Sequence, residues 1–223
     1  MIEAKEDTAL KIAEYLLQIK AIIIRPNEPF TWASGWKSPI YCDNRKALSH
    51  PAIRTHIRQK LGEAITSEFG NIDAIVGIAT AGIPQGVLVA EELGLPFAYV
   101  RPKPKEHGLK NQIEGDIQPG SSVAVIEDLV STGGSSLKAI AALKDNNCDV
   151  KGLVTIFSYN FKIAKQNFKE AKIRFVSLCD YDTLIKQAKN SGYIDKADIK
   201  TLKAWRDDPE NWGQKVGTAS VSR

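Results

Sequence analysis

The segment VAVIEDLVSTGGSSLKAIAAL, Val123 to Leu143, holds the densest chemistry in the chain. An apolar run, Val123 to Ile126, meets two acids, Glu127 and Asp128. Leu129 and Val130 lead into a small polar loop, Ser131, Thr132, Gly133, Gly134 and Ser135, and helical spacing follows it. Glycine lets backbone N–H groups come close to a phosphate. A helix N-terminus adds free donors and partial positive charge, and Ser and Thr hydroxyls add further donors. Charge-assisted hydrogen bonds contribute about 1.5–3 kcal/mol each, so three or four hold a phosphate firmly. The carboxylates just before the loop are acceptors suited to sugar hydroxyls and badly placed beside the phosphate itself. This order of residue types fits a sugar phosphate. The bland alternative is a capped strand-to-helix turn, with Thr132 or Ser135 as N-cap and the acids complementing the helix dipole. The pattern is neither a P-loop, since Gly-Lys-Thr is missing, nor a GxGxxG fingerprint.

Other segments carry weaker signals. RPKPKEHGLK gathers Arg101, Lys103, Lys105, His107 and Lys110 against one acid, Glu106. Pro102 and Pro104 keep it extended and Gly108 lets it turn. It reads either as a solvated basic loop or as a cationic lid over an anionic leaving group. GIATAGIP, Gly77 to Pro84, ends a strand with small residues and can present backbone amides to a phosphate. In Phe30 to Arg45, Trp32, Trp36 and Tyr41 are either core or ligand wall, and Ser34, Ser38, Asn44 and Arg45 favour a ligand-facing role. His50 and His56 have no partner pattern and read as surface helix residues.

The elements that position these residues alternate. Helical periodicity covers residues 5–20 and, after Pro51, continues to about Phe69. Strands are expected at Ile40–Cys42, Ile72–Ala79, Pro96–Arg101, Ser122–Ile126, Val150–Phe157 and Arg174–Leu178. Helices are expected at Pro84–Leu93, Gly134–Lys144, Phe161–Glu170, Asp180–Lys189 and Lys196–Trp205. Strands alternating with helices imply an α/β fold, a mostly parallel sheet covered on both faces. Residues 1–50 form the N-terminal helix and a small subdomain, 51–212 the core with C-terminal helices, and 213–223 a small, polar, flexible tail.

Bulk properties exclude several classes. The 223 residues suit one domain with an appended subdomain, and 43% hydrophobic content argues against disorder. Thirty basic and 26 acidic residues leave a net charge of +4, too little to indicate nucleic-acid binding. Cys42, Cys148 and Cys179 have no metal-ligand spacing and, being odd in number, give no disulfide framework. A reducing cytoplasm is the expected compartment. No stretch reads as a signal peptide or a membrane span.

Val123 to Ser135 resembles the phosphoribosyl pyrophosphate (PRPP) motif of type I phosphoribosyltransferases. FTWASGWKSPIYCDNR, Phe30 to Arg45, is similar to the base-covering hood of orotate phosphoribosyltransferases, and YVRPKPKEHGLKNQIEG, Tyr99 to Gly115, to their catalytic loop. Likeness continues through DYDTLI, Asp180 to Ile185, and LKAWRDDPENW, Leu202 to Trp212. The resemblance implies a type I phosphoribosyltransferase core with a hood, a homodimer, and magnesium carried mainly by PRPP or pyrophosphate rather than by a protein metal site. It implies PRPP and orotate as substrates, with no nucleic-acid or membrane partner. It assigns PRPP contacts to Arg101, Lys105, His107 and the run Glu127, Asp128, Leu129, Val130, Ser131, Thr132, Gly133, Gly134 and Ser135. Lys105, His107 and Asp128 take catalytic roles. Ser131 contacts orotate. Three departures from the family pattern stand out. Ala33 and Tyr159 occupy positions where some members carry a lysine and an arginine, and Pro102 one where some carry a lysine. Arg45 is then the substitute expected to meet the base's carboxylate. A phosphoribosyltransferase for another base and a PRPP-sensing regulator are the alternatives. The regulator would need a separate nucleic-acid-binding module, for which no segment is spare.

Overall fold

The computed structural model describes residues 2–32, 34–103 and 112–213. Ala33, Lys105, His107 and residues 214–223 of the expected tail lie outside these. In chain order the strands are β1 (Ile2–Glu3), β2 (Ile22–Ile24), β3 (Phe30–Thr31), β4 (Lys37–Ser38), β5 (Ile40–Cys42), β6 (Ala74–Ile78), β7 (Phe97–Val100), β8 (Ile113–Glu114), β9 (Ser122–Val130), β10 (Asp149–Ser158) and β11 (Phe175–Asp180). The helices are α1 (Glu6–Gln18), α2 (Pro51–Phe69), α3 (Gly82–Leu93), α4 (Gly134–Asp145), α5 (Lys162–Glu170), α6 (Tyr181–Asn190) and α7 (Lys196–Asp207). A seven-stranded sheet runs β1-β11-β10-β9-β6-β7-β8. All its pairs are parallel except β7 with β8.

β9 sits at the centre and shows why the sheet is covered twice. Val123 and Val125 belong to one apolar cluster, with Ile140 and Leu143 of α4 and Phe168 of α5. Ala124 and Ile126 belong to the other, with residues of α1, α2 and α6. Side chains on a strand alternate between faces, so a run apolar at every position must be buried on both. On α2, Ile53, Ile57, Leu61, Ile65 and Phe69 are buried at four-residue spacing, one stripe against the sheet. Pro51 sits at its first turn, where a missing N–H costs no intrahelical bond.

The hood is a pair of two-stranded ribbons, β2 with β5 and β3 with β4, both antiparallel. Ile22, Ile24 and Ile40 join the same apolar cluster as the core residues Ile126 and Val154. The hood is therefore not packed as a separate body. α7 pins it from above: Trp205 is fully buried and its indole N–H donates to the Lys37 carbonyl of β4 at 3.1 Å. Around Trp205 stand Trp32, Tyr159, Phe161 and Tyr181, with ring centroids 5.5–5.8 Å away. Ring pairs at such spacings add about 0.5–1.5 kcal/mol each beyond area burial.

The structure departs from the sequence reading in several places. β9 runs on to Val130 rather than stopping at Ile126, because β10 continues beside it and pairs Thr155 with Glu127 and Ser158 with Val130. The acids ended the apolar pattern without ending the ladder. β1 adds an edge strand at the N-terminus by pairing with β11, although two residues are too few to show a period. His56 is half-buried, with its ring edge-on to Tyr15 at 5.4 Å, rather than a plain surface residue.

Candidate active site

Chain order and sheet order reverse between β6 and β9: the chain goes outward from β6 to β7 and returns on the other side at β9. Ligands of open parallel sheets bind at such a switch point, beyond the carboxyl ends of the strands. Here two loops converge, the one after β6 and the one after β9. Gly77 and Gly82 let them do so. A Cβ on Gly82 would stand 2.4 Å from the Ile126 carbonyl oxygen, and one on Gly77 would stand 2.7 Å from the Gly82 oxygen. The start of α3 therefore lies against β9 immediately before the acid pair. The Ala79–Thr80 peptide in this loop is cis.

Glu127 and Asp128 are strand residues. Glu127 is buried, and its carboxylate accepts the Asp128 backbone N–H at 3.1 Å. Burial pushes the Glu127 carboxyl well above the ordinary glutamate range, and the Asp128 charge beside it adds to the rise. Asp128 is raised as well, again chiefly by burial, against the opposing pull of the Glu127 hydrogen bond and the Arg45 charge. Leu129 and Val130 send their side chains into the two apolar clusters, so only their backbones are available to a ligand. The alternation of faces reverses across the acid pair. Ile126 and Leu129 share one cluster, and Val125 and Val130 share the other.

The loop that follows is shaped by glycine. Gly133 has φ +81°, and a Cβ there would meet the Phe168 ring at 2.6 Å. It is also the N-cap of α4 and provides no side-chain cap. The bland reading, with Thr132 or Ser135 as cap, is thus not what forms. Gly134 is different: a Cβ would find only the Thr132 hydroxyl, 3.9 Å away. No protein atom crowds that position. Among the described residues the hydroxyls of Ser131, Thr132 and Ser135 have no hydrogen-bond partner. Two asparagines hold the loop in place. Asn44 of the hood, fully buried, donates to the Asp128 carbonyl at 2.7 Å, and Asn167 of α5 donates to the Thr132 carbonyl at 3.0 Å.

Other expected site residues separate. Arg101 lies at the end of β7 and reaches Glu114 of β8 at 3.6 Å. Arg45 is 62% exposed in its side chain and bonds Asp43 at 2.6 Å. Its charge still reaches Asp128. Trp32 turns into the aromatic cluster, 5.0 Å from Tyr159, and donates to the Ile40 carbonyl. Tyr41 is 39% exposed and packs on Phe30 at 5.5 Å. Tyr159 is buried core and faces no solvent-open site. Asn167 was not singled out by its sequence context; a polar residue on an amphipathic helix has no local mark of a partner 35 positions away.

Fold and site together define a phosphoribosyltransferase domain. The family model described as "Phosphoribosyl transferase domain" matches residues 44–193. The orotate phosphoribosyltransferase of Porphyromonas gingivalis is 53% identical over 202 residues, 91% of this chain and 96% of that protein. That of Listeria monocytogenes is 52% identical over 92% of this chain and 98% of its own length. Among solved structures, orotate phosphoribosyltransferase from Aeropyrum pernix superposes with a TM-score of 0.72 at 28% identity, covering 82% of this chain and 99% of that one. The chain belongs to the orotate phosphoribosyltransferase family. Among the described residues no helix is long and apolar enough to cross a membrane, and no three His, Cys, Asp or Glu side chains cluster to hold a metal ion.

Proposed function

We propose that the chain transfers the 5-phosphoribosyl group of PRPP to orotate, giving orotidine 5′-phosphate and pyrophosphate, a step of pyrimidine nucleotide synthesis. The observation that carries this reading is the site at the carboxyl end of β9, where the buried Glu127 and the half-buried Asp128 lead into a glycine loop with unfilled donors. Phosphate enters the loop Ser131–Ser135, over the open face of Gly134 and the uncapped amides of α4. Glu127 and Asp128 accept from the ribose hydroxyls. Both favour charge on the ribose: as a bond forms from the ring nitrogen to the anomeric carbon, the anomeric C–O bond to pyrophosphate breaks and the sugar becomes cationic. Ser131 is proposed at the base. Arg101, with Lys105 and His107 outside the described residues, neutralises the leaving pyrophosphate.

The acid pair also suits magnesium. Both groups are hard oxygen donors, and an ion carried mainly by PRPP or pyrophosphate would need at most one or two such oxygens from the protein. When bound with PRPP, magnesium would supply Lewis-acid stabilisation of the charge on the leaving pyrophosphate. A homodimer is part of the same proposal, and light scattering of the purified protein reports it.

The decisive experiment mixes protein, magnesium and PRPP with orotate, uracil or a purine base and identifies the product. Orotidine 5′-phosphate and pyrophosphate in equal amounts, with orotate preferred over the other bases, is the expected result. Asp128→Asn should lower turnover about 10²–10³-fold, the range for losing one preorganised electrostatic group, with its melting temperature little changed. A folded Asp128→Asn protein with full activity removes the acid from the mechanism.

A further inference from the structure

Trp36 of the hood and α7 flank an open cleft of about 440 Å³ whose lining also includes Thr132, Phe161 and Arg206. Thr132 belongs to the phosphate loop, so this space opens beside the ligand site already described. Arg206 reaches it from a distant part of the chain. Its Nη2 donates to the Asn160 carbonyl, and Asn160 lies two residues beyond Ser158, which pairs with Val130 in the sheet. The backbone N–H of Tyr159 donates to the Val130 carbonyl at 3.1 Å. The guanidinium is therefore tied to the carboxyl end of β10, next to the Ser131–Thr132 stretch of the loop. Two rings fix its position, Phe161 at 5.4 Å and Tyr181 at 5.7 Å.

Arg206 is also short of partners. Its Nε is buried without a hydrogen bond, and it makes no ion pair among the described residues. A guanidinium carries five donors in a planar fork that matches a carboxylate. Leaving that donor buried without a partner is costly unless an acceptor arrives. Asp207, Asp208 and Glu210 line the same cleft. Asp208 is engaged by the backbone and side-chain N–H groups of Asn211. Lys162 is a second cation on the cleft wall, a point charge without the planar fork, and Arg45, which is not part of that wall, already has its carboxylate in Asp43.

We propose that Arg206 is the specificity residue of this site, pairing with the carboxylate that distinguishes orotate from uracil. The inference rests on the orotate reading above. It explains how a chain with Ala33 in the hood and Tyr159 after β10 still recognises an anionic base: the charge comes from α7 and reaches the same strand end through Asn160.

The test is steady-state kinetics of the full-length protein with magnesium and PRPP, comparing wild type, Arg206→Gln and Arg206→Lys. Uracil serves as a competing base without the carboxylate. Arg206→Gln should raise the orotate KM about 10- to 100-fold, the loss of one charged hydrogen-bonding partner. The PRPP KM and the uracil inhibition constant should move less than about twofold. Arg206→Lys, which keeps the charge without the fork, should fall between wild type and Arg206→Gln and carries the test if the glutamine variant does not fold. An unchanged orotate KM in either folded variant overturns the proposal. So does a parallel rise in the orotate KM and the uracil constant, which would make Arg206 a brace for Asn160 only. A large orotate effect in Arg45→Ala with none at Arg206 returns the role to Arg45. A wild-type protein that makes no orotidine 5′-phosphate defeats the function reading instead, so the two failures are distinguishable.

Discussion

At the proposed phosphate end, Glu127, Asp128 and the loop Ser131–Ser135 come from one uninterrupted run of β9 and α4. At the proposed base end, Trp36, Phe161 and Arg206 come from three segments that meet only after the whole chain has folded. The two ends also differ in what holds them. Backbone shape sets the phosphate end: Gly133 sits at positive φ against Phe168, Gly82 lies against the Ile126 carbonyl, and two asparagines bond loop carbonyls. Side-chain packing sets the base end, where five rings gather around and including Trp205. A phosphate is met by backbone N–H groups that any sequence possesses once the turn is right. A flat, charged base requires particular side chains, and these can be borrowed from anywhere in the fold.

The largest effect that sharpens this contrast is expected at Trp205. Trp205→Ala removes the ring contacts and the bond to the Lys37 carbonyl, and should cost about 3–5 kcal/mol of stability. Equilibrium denaturation gives the stability loss. At a temperature where the variant stays folded, the orotate KM should rise more than the PRPP KM. Equal rises would mean that the two ends are mechanically one.

A smaller effect separates two adjacent glycines. Gly133→Ala forces an L-residue to φ +81° against the Phe168 ring, which should cost about 1–3 kcal/mol and weaken PRPP as the loop shifts. Gly134→Ala, in open space on the first turn of α4, should leave the melting temperature unchanged or slightly raised while still raising the PRPP KM. A Gly134→Ala protein with a normal PRPP KM breaks the claim that phosphate occupies that face.

The last expected effect is on pH. Burial raises the Glu127 carboxyl, so the free protein keeps that proton above the ordinary glutamate range. Ribose hydroxyls donating to the carboxylate favour its charged form, so binding releases the proton. PRPP with magnesium should therefore bind more tightly as pH rises from the ordinary glutamate range toward the raised value, by at most tenfold per unit, and level off above it. Stability has the opposite sign, because the unfolded chain gives up this proton first, and should fall across the same window. Glu127→Gln should flatten both trends relative to wild type, whatever PRPP's own titration contributes. Calorimetry in buffers of different ionisation enthalpy measures the released proton directly.

The contrast also explains what could be read without coordinates. The strand, glycine loop and helix around the acid pair were legible because they are contiguous, following each other within Val123–Leu143. The parallel sheet was legible for the same reason, as buried strands show uninterrupted apolar runs. The end of β9 was misplaced because acids at a ligand site interrupt the apolar pattern while backbone pairing continues to Val130. Trp32 and Tyr159 could not be sorted into core or ligand wall from their neighbours, since that depends on Trp205 arriving from α7. Arg206 was hidden in the same way. An arginine in a C-terminal helix looks like a surface residue until Asn160 and two ring faces are found around it.

The bond from Trp205 to Lys37 spans 168 positions of the chain. At about 5–20 residues per second of synthesis, roughly 10–30 s separate the appearance of its two ends. During that interval the hood has been made and α7 has not, so its aromatic residues lack the ring they close upon. The glycine loop and the acid pair emerge earlier, and their direct contacts, Asn44 of the hood, β10 and Asn167 of α5, are all made before α7. A growing chain should thus pass through a stage able to hold a sugar phosphate before it can choose a base. If the two sites are as proposed, substrate recognition acquires an order in time, with the generic part finished first and the selective part last.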